Sequence, residues 1–238
     1  MTVTAQFQDR YQAGRFLASR LSRYANNPSV LVLGLPRGGV PVAYEVACAL
    51  NAPLDVFLVR KMGVPGYEEL AVGAVASGGI RILNQEVIQR LGISERMIEA
   101  MAQEKLQELE RRERIFRGNR EPMEIEGRTV ILVDDGLATG ASMRVAIHAI
   151  QKRGPKAVVV AVPLGSGDTC TQLRNEADDV ICGMTPEPFY TVGAWYSDFI
   201  QIPDEEINRL LDHAAHERRV RQVQAQKDRA SVQEDLMG

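Results

Sequence analysis

The chain has 238 residues and a mass of 26.3 kDa, room for one large domain or two small ones. Hydrophobic residues at 45% and charged residues at 25% exclude disorder as its general state, and aromatics at 5% predict an aliphatic core. A formal charge of −3, from 28 Lys+Arg against 31 Asp+Glu, argues against wholesale nucleic-acid binding while leaving room for a local basic pocket. Cys48, Cys170 and Cys182 are too few and scattered for a disulfide framework or a zinc site. They are expected as small buried hydrophobes of a reduced, intracellular protein. No apolar run approaches a membrane span, and the polar start MTVTAQFQDR is unsuited to a signal peptide, so the expectation is a cytoplasmic protein with no membrane partner.

Asp9 to Tyr24 carries Ala13, Phe16, Leu17, Leu21 and Tyr24 at helical spacing, with Asp9 as N-cap, and Asn26-Asn27-Pro28 breaks it. VLVLG (Val30 to Gly34) reads as a buried parallel strand, and Val40 to Leu50 as a helix. LDVFLVRK (Leu54 to Lys61) reads as a second strand. Met62 to Glu69, rich in Gly and Pro and holding the pair Glu68-Glu69, reads as an exposed loop, and Val72 to Ala76 with Ile80 to Leu83 as a hairpin. Ser94 to Arg117 sets Ile98, Ala102, Leu106, Leu109 and Phe116 on one stripe of a helix about 35 Å long. Its charge-dense end alternates Glu with Arg, the pattern of a solvated face rather than of a nucleic-acid surface.

The pattern then alternates strictly. Thr129 to Val133, Ala157 to Pro163 and Asp179 to Gly183 read as strands; Ala141 to Arg153 and Asp168 to Ala177, capped by Asp168, read as helices. A closing helix runs from Asp204 to about Val220. Strands separated by helices predict an α/β fold, a parallel central sheet with helices on both faces. One domain accounts for residues 1–220, with a helical insertion at about 84–120, an irregular segment at about 183–203, and a polar tail over 221–238 that is expected to be mobile or a helical extension.

Thr129 to Val133 delivers Asp134 and Asp135 at the strand's C-terminal edge, where ligands bind in open α/β sheets. The small residues Gly136 to Ser142 then open a helix. Its unpaired N–H groups, with the Thr139 and Ser142 hydroxyls, make an anion cradle. The helix dipole contributes only about 0.3–1 kcal/mol, up to ~2 when partly buried, so convergent hydrogen bonds must supply most of the affinity. Carboxylates beside a phosphate site make sense if the ligand also presents hydroxyls or a divalent cation. A sugar phosphate with a ribose diol satisfies all of these groups; the plainer alternative is an Asp pair that caps the turn. The P-loop lysine is missing, and no GxGxxG follows a strand.

VILVDDGLATGAS resembles the ribose-phosphate signature of the type I phosphoribosyltransferases at all thirteen positions in residue class, and the order of elements extends the resemblance over about residues 10–205. The resemblance implies the Rossmann-like sheet of that family, with Asp134 and Asp135 on the ribose hydroxyls of 5-phosphoribosyl 1-diphosphate. Ala138, Thr139, Gly140, Ala141 and Ser142 would wrap its 5-phosphate. Mg²⁺ is the implied cofactor, held mainly by the substrate near Asp134 and Asp135 with no direct protein ligand set.

Leu35 to Gly39, between the first sheet strand and its helix, is similar to the family's pyrophosphate loop. Arg37 offers a forked cation, and Gly38 and Gly39 allow close backbone approach, as they would in any tight strand-to-helix turn. The resemblance implies a non-proline cis peptide at Pro36–Arg37 or Arg37–Gly38. Arg60 and Lys61 end the next predicted strand on the ligand side, or form a solvated strand end. Lys61, Arg37 and Asp135 are accordingly the expected catalytic groups, and Arg37, Gly38, Gly39 and Lys61 the pyrophosphate site. The loop after Lys61 would close over it as a lid.

Relatives acting on 6-oxopurines carry an aspartate base where this sequence has Ala138, so the loop is closer to adenine- and orotate-type members. The segment PEPFYTVGAWYSDF has a faint likeness to the hood of the hypoxanthine–guanine branch. It holds five of the thirteen aromatics, with Phe189, Tyr190, Trp195 and Asp198 as acceptor-binding candidates; the alternative is that the rings anchor a long loop. His148, His213 and His216 read as surface residues. The implied reaction transfers the 5-phosphoribosyl group to a small nitrogenous heterocycle with loss of pyrophosphate. The alternative is a non-catalytic sensor of the same sugar diphosphate, for which the helix Ser94 to Arg117 offers a docking or homodimer surface. A ribose-phosphate diphosphokinase would need two stacked similar domains, and one is expected from this sequence.

Overall fold

The computed structural model describes residues 6–64 and 67–235. Helix α1 (Arg10–Ser19) begins where the Asp9 side chain accepts from the Gln12 amide, and a short 3-10 turn, Ser22–Tyr24, follows it. Strand β1 (Val30–Gly34) leads to α2 (Gly39–Leu50) and then to β2 (Leu54–Val56). A hairpin of β3 (Val59–Val64), β4 (Tyr67–Ala76) and β5 (Ile80–Leu83) precedes α3 (Gln85–Leu91) and α4 (Glu95–Arg117). The second half alternates β6 (Thr129–Val133), α5 (Ala141–Gln151), β7 (Ala157–Leu164), α6 (Gly167–Leu173) and β8 (Asp179–Met184), and closes with α7 (Asp204–Asp235).

Five strands form an all-parallel sheet in the order β2-β1-β6-β7-β8. Because strand residues alternate faces, Val30 and Val32 of β1 pack into the core beneath α1, α2 and α7, while Leu31 and Leu33 join the core with Met143, Ile147 and Ile150 of α5. The register places Gly34 of β1 beside Val133 of β6, so the turns after these two strands leave the sheet side by side. No described helix is long and apolar enough to cross a membrane.

Several expected elements differ. The run Leu54 to Lys61 is two strands: the chain leaves the parallel sheet at Phe57, whose amide donates to the Gly34 carbonyl, and then starts a separate antiparallel sheet, β3-β4-β5. Ser77, 2% exposed, fixes the exit by accepting from the Leu58 amide and donating its own amide to the Leu58 carbonyl. An apolar run announces extended chain but not a change of partner. The expected exposed loop Met62 to Glu69 is drawn into β3 and β4, with shifts of register at Gly63; Pro65 and Gly66 at its tip lie outside the described residues. Ser166 and not Asp168 precedes α6, and Asp168 falls in its first turn. Helix α3, capped by Asn84, lies inside the expected helical insertion, ahead of the one helix predicted there. The closing helix runs past Val220 to Asp235, so the tail takes the helical one of its two expected forms, and its last residues lie outside those described. Finally, Cys170 on α6 and Cys182 on β8 are not two free thiols but a disulfide, with Cα atoms 6.4 Å apart; Cys48 is free. Their separation of 12 residues gives no hint of this, because the α6–β8 crossover alone brings them together.

The insertion is tied to the main sheet by a buried ion pair. Arg117, at the end of α4, donates from Nε to Asp55 Oδ1 of β2 (2.8 Å) and from Nη2 to the Val56 carbonyl (2.7 Å). The second Asp55 oxygen accepts from the Met123 amide at 3.0 Å, so neither carboxylate oxygen is left unpaired. Replacing Arg117 with Met strands a buried carboxylate and should cost about 3–5 kcal/mol in urea unfolding. Adding Asp55→Asn should recover part of that loss, since a neutral amide still offers the Met123 amide an acceptor.

Candidate active site

The site is built where β1 and β6 end. After β1 the chain turns through Leu35 to Gly38, with a cis peptide at Pro36–Arg37. Here glycine is demanded by contact rather than by φ. A Cβ on Gly38 would lie 1.9 Å from Asp135 Oδ2, and one on Gly39 would lie 2.6 Å from the Val133 carbonyl. Only a backbone without side chains lets the two turns touch. The Arg37 guanidinium stands 3.0 Å from Asp204 Oδ1, at the first residue of α7.

After β6, Asp134 Oδ1 accepts from the Asp135 amide (2.8 Å). Asp135 Oδ2 accepts from Arg10 Nε (2.8 Å), and the Tyr196 hydroxyl donates to the Asp135 carbonyl (2.5 Å). Burial pushes the Asp134 carboxyl well above the usual aspartate range, and the neighbouring Asp135 charge pushes it further. Burial also raises Asp135, against the opposing pull of the Arg10 hydrogen bond and charge. The next residues are pinned from behind: Leu137 exchanges backbone bonds with Leu164 and Ser166, and Thr169 Oγ1 donates to the Ala138 carbonyl (2.7 Å). Gly140, at φ +72°, turns the chain into α5. Ala138, Thr139, Ala141 and Ser142 remain exposed, so the start of α5 is open to a ligand.

A cavity of about 130 Å³ opens beside these turns. Arg37, Asp134 and Ser142 line it, together with Arg60 of β3 and Arg112 of α4. Asp135 does not; it faces Arg10 and Gly38. Lys61 is exposed and lines a separate cleft with Met101 and Lys105 of α4. Alternation along the strand sends Arg60 inward and Lys61 away. The structure therefore brings Arg37, Asp134 and Ser142 together, and leaves Lys61 apart.

The segment after β8 packs over the second turn. Val192 occupies the space a Gly136 side chain would need, 2.5 Å from its Cβ position. Phe189 and Trp195 pack against the cluster of Phe7, Ala13, Leu164 and Tyr196, so these rings anchor the segment to α1. Tyr190 is 69% exposed. Asp198 Oδ1 accepts from the Ile200 amide (3.1 Å), closing a local turn. None of Phe189, Tyr190, Trp195 and Asp198 lines the cavity.

Arg10 is the residue that sequence reasoning missed. It is 7% exposed, bonds Asp135 and the Ile200 carbonyl (2.9 Å), and lies 3.9 Å from the centre of the Phe199 ring. The one available signal was an arginine in the first turn of α1, where a cation opposes the helix dipole and needs another reason to be there.

The sequence matches the model of the phosphoribosyl transferase domain over residues 4–187. Counterparts in two strains of Mycobacterium tuberculosis, each provisionally named a phosphoribosyl transferase, are 45% identical over 208 residues; these cover 87% of this chain and 47% of theirs. The chain thus spans about half the length of the curated relatives it matches. The crystal structure of TT1426 from Thermus thermophilus is 41% identical with a TM-score of 0.76, covering 87% of this chain and 97% of that one.

The raised Asp134 carboxyl makes a signed prediction. The native state binds this proton more tightly than the unfolded chain does, so the pair destabilises the fold near neutral pH and that penalty fades as pH falls. Asp134→Asn should melt above wild type at pH 7, by about 2–4 °C for each kcal/mol relieved. The gap should close as pH is lowered toward the ordinary aspartate value of about 4. Thermal melts from pH 4 to 8 test this, and a gap independent of pH would refute it.

Proposed function

The chain belongs to the phosphoribosyl transferase family, and from that premise we propose that it moves the 5-phosphoribosyl group of 5-phosphoribosyl 1-diphosphate onto a nitrogen of a small nucleobase-like heterocycle. In this reaction the bond from C1 of the ribose to the pyrophosphate oxygen breaks and a bond from C1 to nitrogen forms with inversion. Pyrophosphate leaves with the electron pair, and the proton on the acceptor nitrogen passes to solvent. The observation that carries the reading is the meeting, at the ends of two adjacent parallel strands, of an open helix start at Thr139 to Ser142 and a cavity lined by Asp134 and Arg37.

The roles follow from chemistry. The Thr139 and Ser142 hydroxyls and the free amides at the start of α5 receive the 5-phosphate. Asp134 accepts from the ribose hydroxyls, while Asp135, held by Arg10, fixes the turn that aims Asp134. Arg37 meets the negative charge that grows on the leaving pyrophosphate. Asp134 is a hard anionic oxygen donor on the cavity wall, and so suits Mg²⁺. Mg²⁺ bound to the diphosphate supplies charge neutralisation of the leaving group. Positioning and electrostatics carry such a displacement, so the absence of an acid at Ala138 still permits acceptors that arrive with a nucleophilic nitrogen.

Calorimetric titration with 5-phosphoribosyl 1-diphosphate and Mg²⁺ tests the site. Thr139→Ala and Asp134→Asn should each weaken binding by about tenfold or more, the worth of a hydrogen bond to a charged group. Unchanged affinity in both would remove the assignment. A panel of purines, pyrimidines and related heterocycles, assayed for pyrophosphate release, tests the transfer itself. Tight binding with no release from any of them would assign the chain to sensing.

A further inference from the structure

We infer that Arg112 on the helical insertion, together with Arg60 on β3, binds the pyrophosphate end of the sugar diphosphate, which makes α4 a wall of the active site rather than an appendage. The inference rests on the function proposed above and extends it to residues outside both site motifs. Three guanidiniums reach the same cavity from three separate segments: Arg37 from the turn after β1, Arg60 from the hairpin, and Arg112 from α4. Like charges gather in this way only at a cost, and burial together with the Arg112 charge holds the Arg60 guanidinium below its usual range.

The acids nearby pair with them unevenly. Arg37 has Asp204. Arg60 and Arg112 share one carboxylate, Glu108, at 3.2 and 3.7 Å, and the same group also faces Lys105 at 3.9 Å. At 3.7 Å Glu108 is too far to hydrogen-bond Arg112, whose Nε is out of solvent with no acceptor among the described residues. Among the described residues, Asp134 is the single acidic residue on the cavity wall. A surface ladder of charges along α4 would explain the Glu108–Arg112 spacing, but not a buried donor without an acceptor or a second arginine arriving from another sheet. A compact polyanion explains both, and planar guanidinium forks match phosphate oxygens.

Arg112 is also held in place. Five residues on, Arg117 is locked to Asp55 of the main sheet, and the buried ring of Phe116 lines the same cavity. The stretch of α4 that carries Arg112 is therefore fixed before any ligand arrives, which lowers the entropy lost on binding.

The test titrates the full chain separately with magnesium pyrophosphate and with ribose 5-phosphate. In Arg112→Gln, pyrophosphate affinity should fall about tenfold, while ribose 5-phosphate should bind within about twofold of wild type, which also shows that the variant is folded. Arg112→Lys should recover part of the loss. Glu108→Gln, which removes the competing carboxylate, should tighten pyrophosphate binding. Wild-type pyrophosphate affinity in Arg112→Gln, with ribose 5-phosphate still bound, would overturn this inference and leave the proposed function standing. If the wild-type chain binds neither ligand, the proposed function fails and this inference fails with it.

Discussion

A single guanidinium, Arg10, holds three distant segments of this protein to one point. It comes from the first turn of α1, bonds the carboxylate of Asp135 at the end of β6, bonds the carbonyl of Ile200 after β8, and packs on the ring of Phe199. Two consecutive carboxylates at a buried turn repel one another and resist leaving water, so such a turn needs a counter-charge that is itself nearly buried. Arg10 meets that need on one side, and glycine at position 38 leaves the space that Asp135 fills on the other. Asp134 is thereby left as the carboxylate that faces the cavity.

The two acids thus divide their work by environment rather than by chemistry. Asp135 is locked into the fold by a guanidinium and a neighbouring backbone, while Asp134 accepts the Asp135 amide at Oδ1 and faces the cavity, where its other lone pairs can meet a ligand. The aromatic segment after β8 is divided in the same way. Phe189, Trp195 and Tyr196 bind it to α1, Tyr196 reaches the Asp135 carbonyl, and Val192 covers Gly136. These contacts stabilise the ribose turn, and the rings that make them are spent on packing.

Accessory elements complete what the parallel sheet begins. The sheet supplies two turns, but the far wall of the cavity comes from the hairpin and the insertion, through Arg60, Arg112 and Phe116. These pieces can contribute to a site that needs fixed geometry because their roots are fixed: Ser77 ties the hairpin to Leu58 and Arg117 ties α4 to Asp55. A long charged helix on an open surface would otherwise be a poor place for a binding residue.

The sequence by itself determined the parallel α/β frame and the two ligand-facing turns, because these are local. Apolar runs broken by small residues, Asp134-Asp135 at a strand end and glycines at positions 38 and 140 act within a few residues of one another in the chain. What only the tertiary structure decided is which side chains meet across the fold. That Arg60 faces inward and Lys61 outward depends on where the chain leaves the sheet at Phe57, which a continuous hydrophobic run hides. That Arg10 pairs with a carboxylate 125 residues away, and that Cys170 bonds Cys182, depends on crossovers that no periodicity reports. Local pattern is written by the chain's own backbone sterics and burial; charge pairing over distance is set by topology, and only the folded chain brings those partners together.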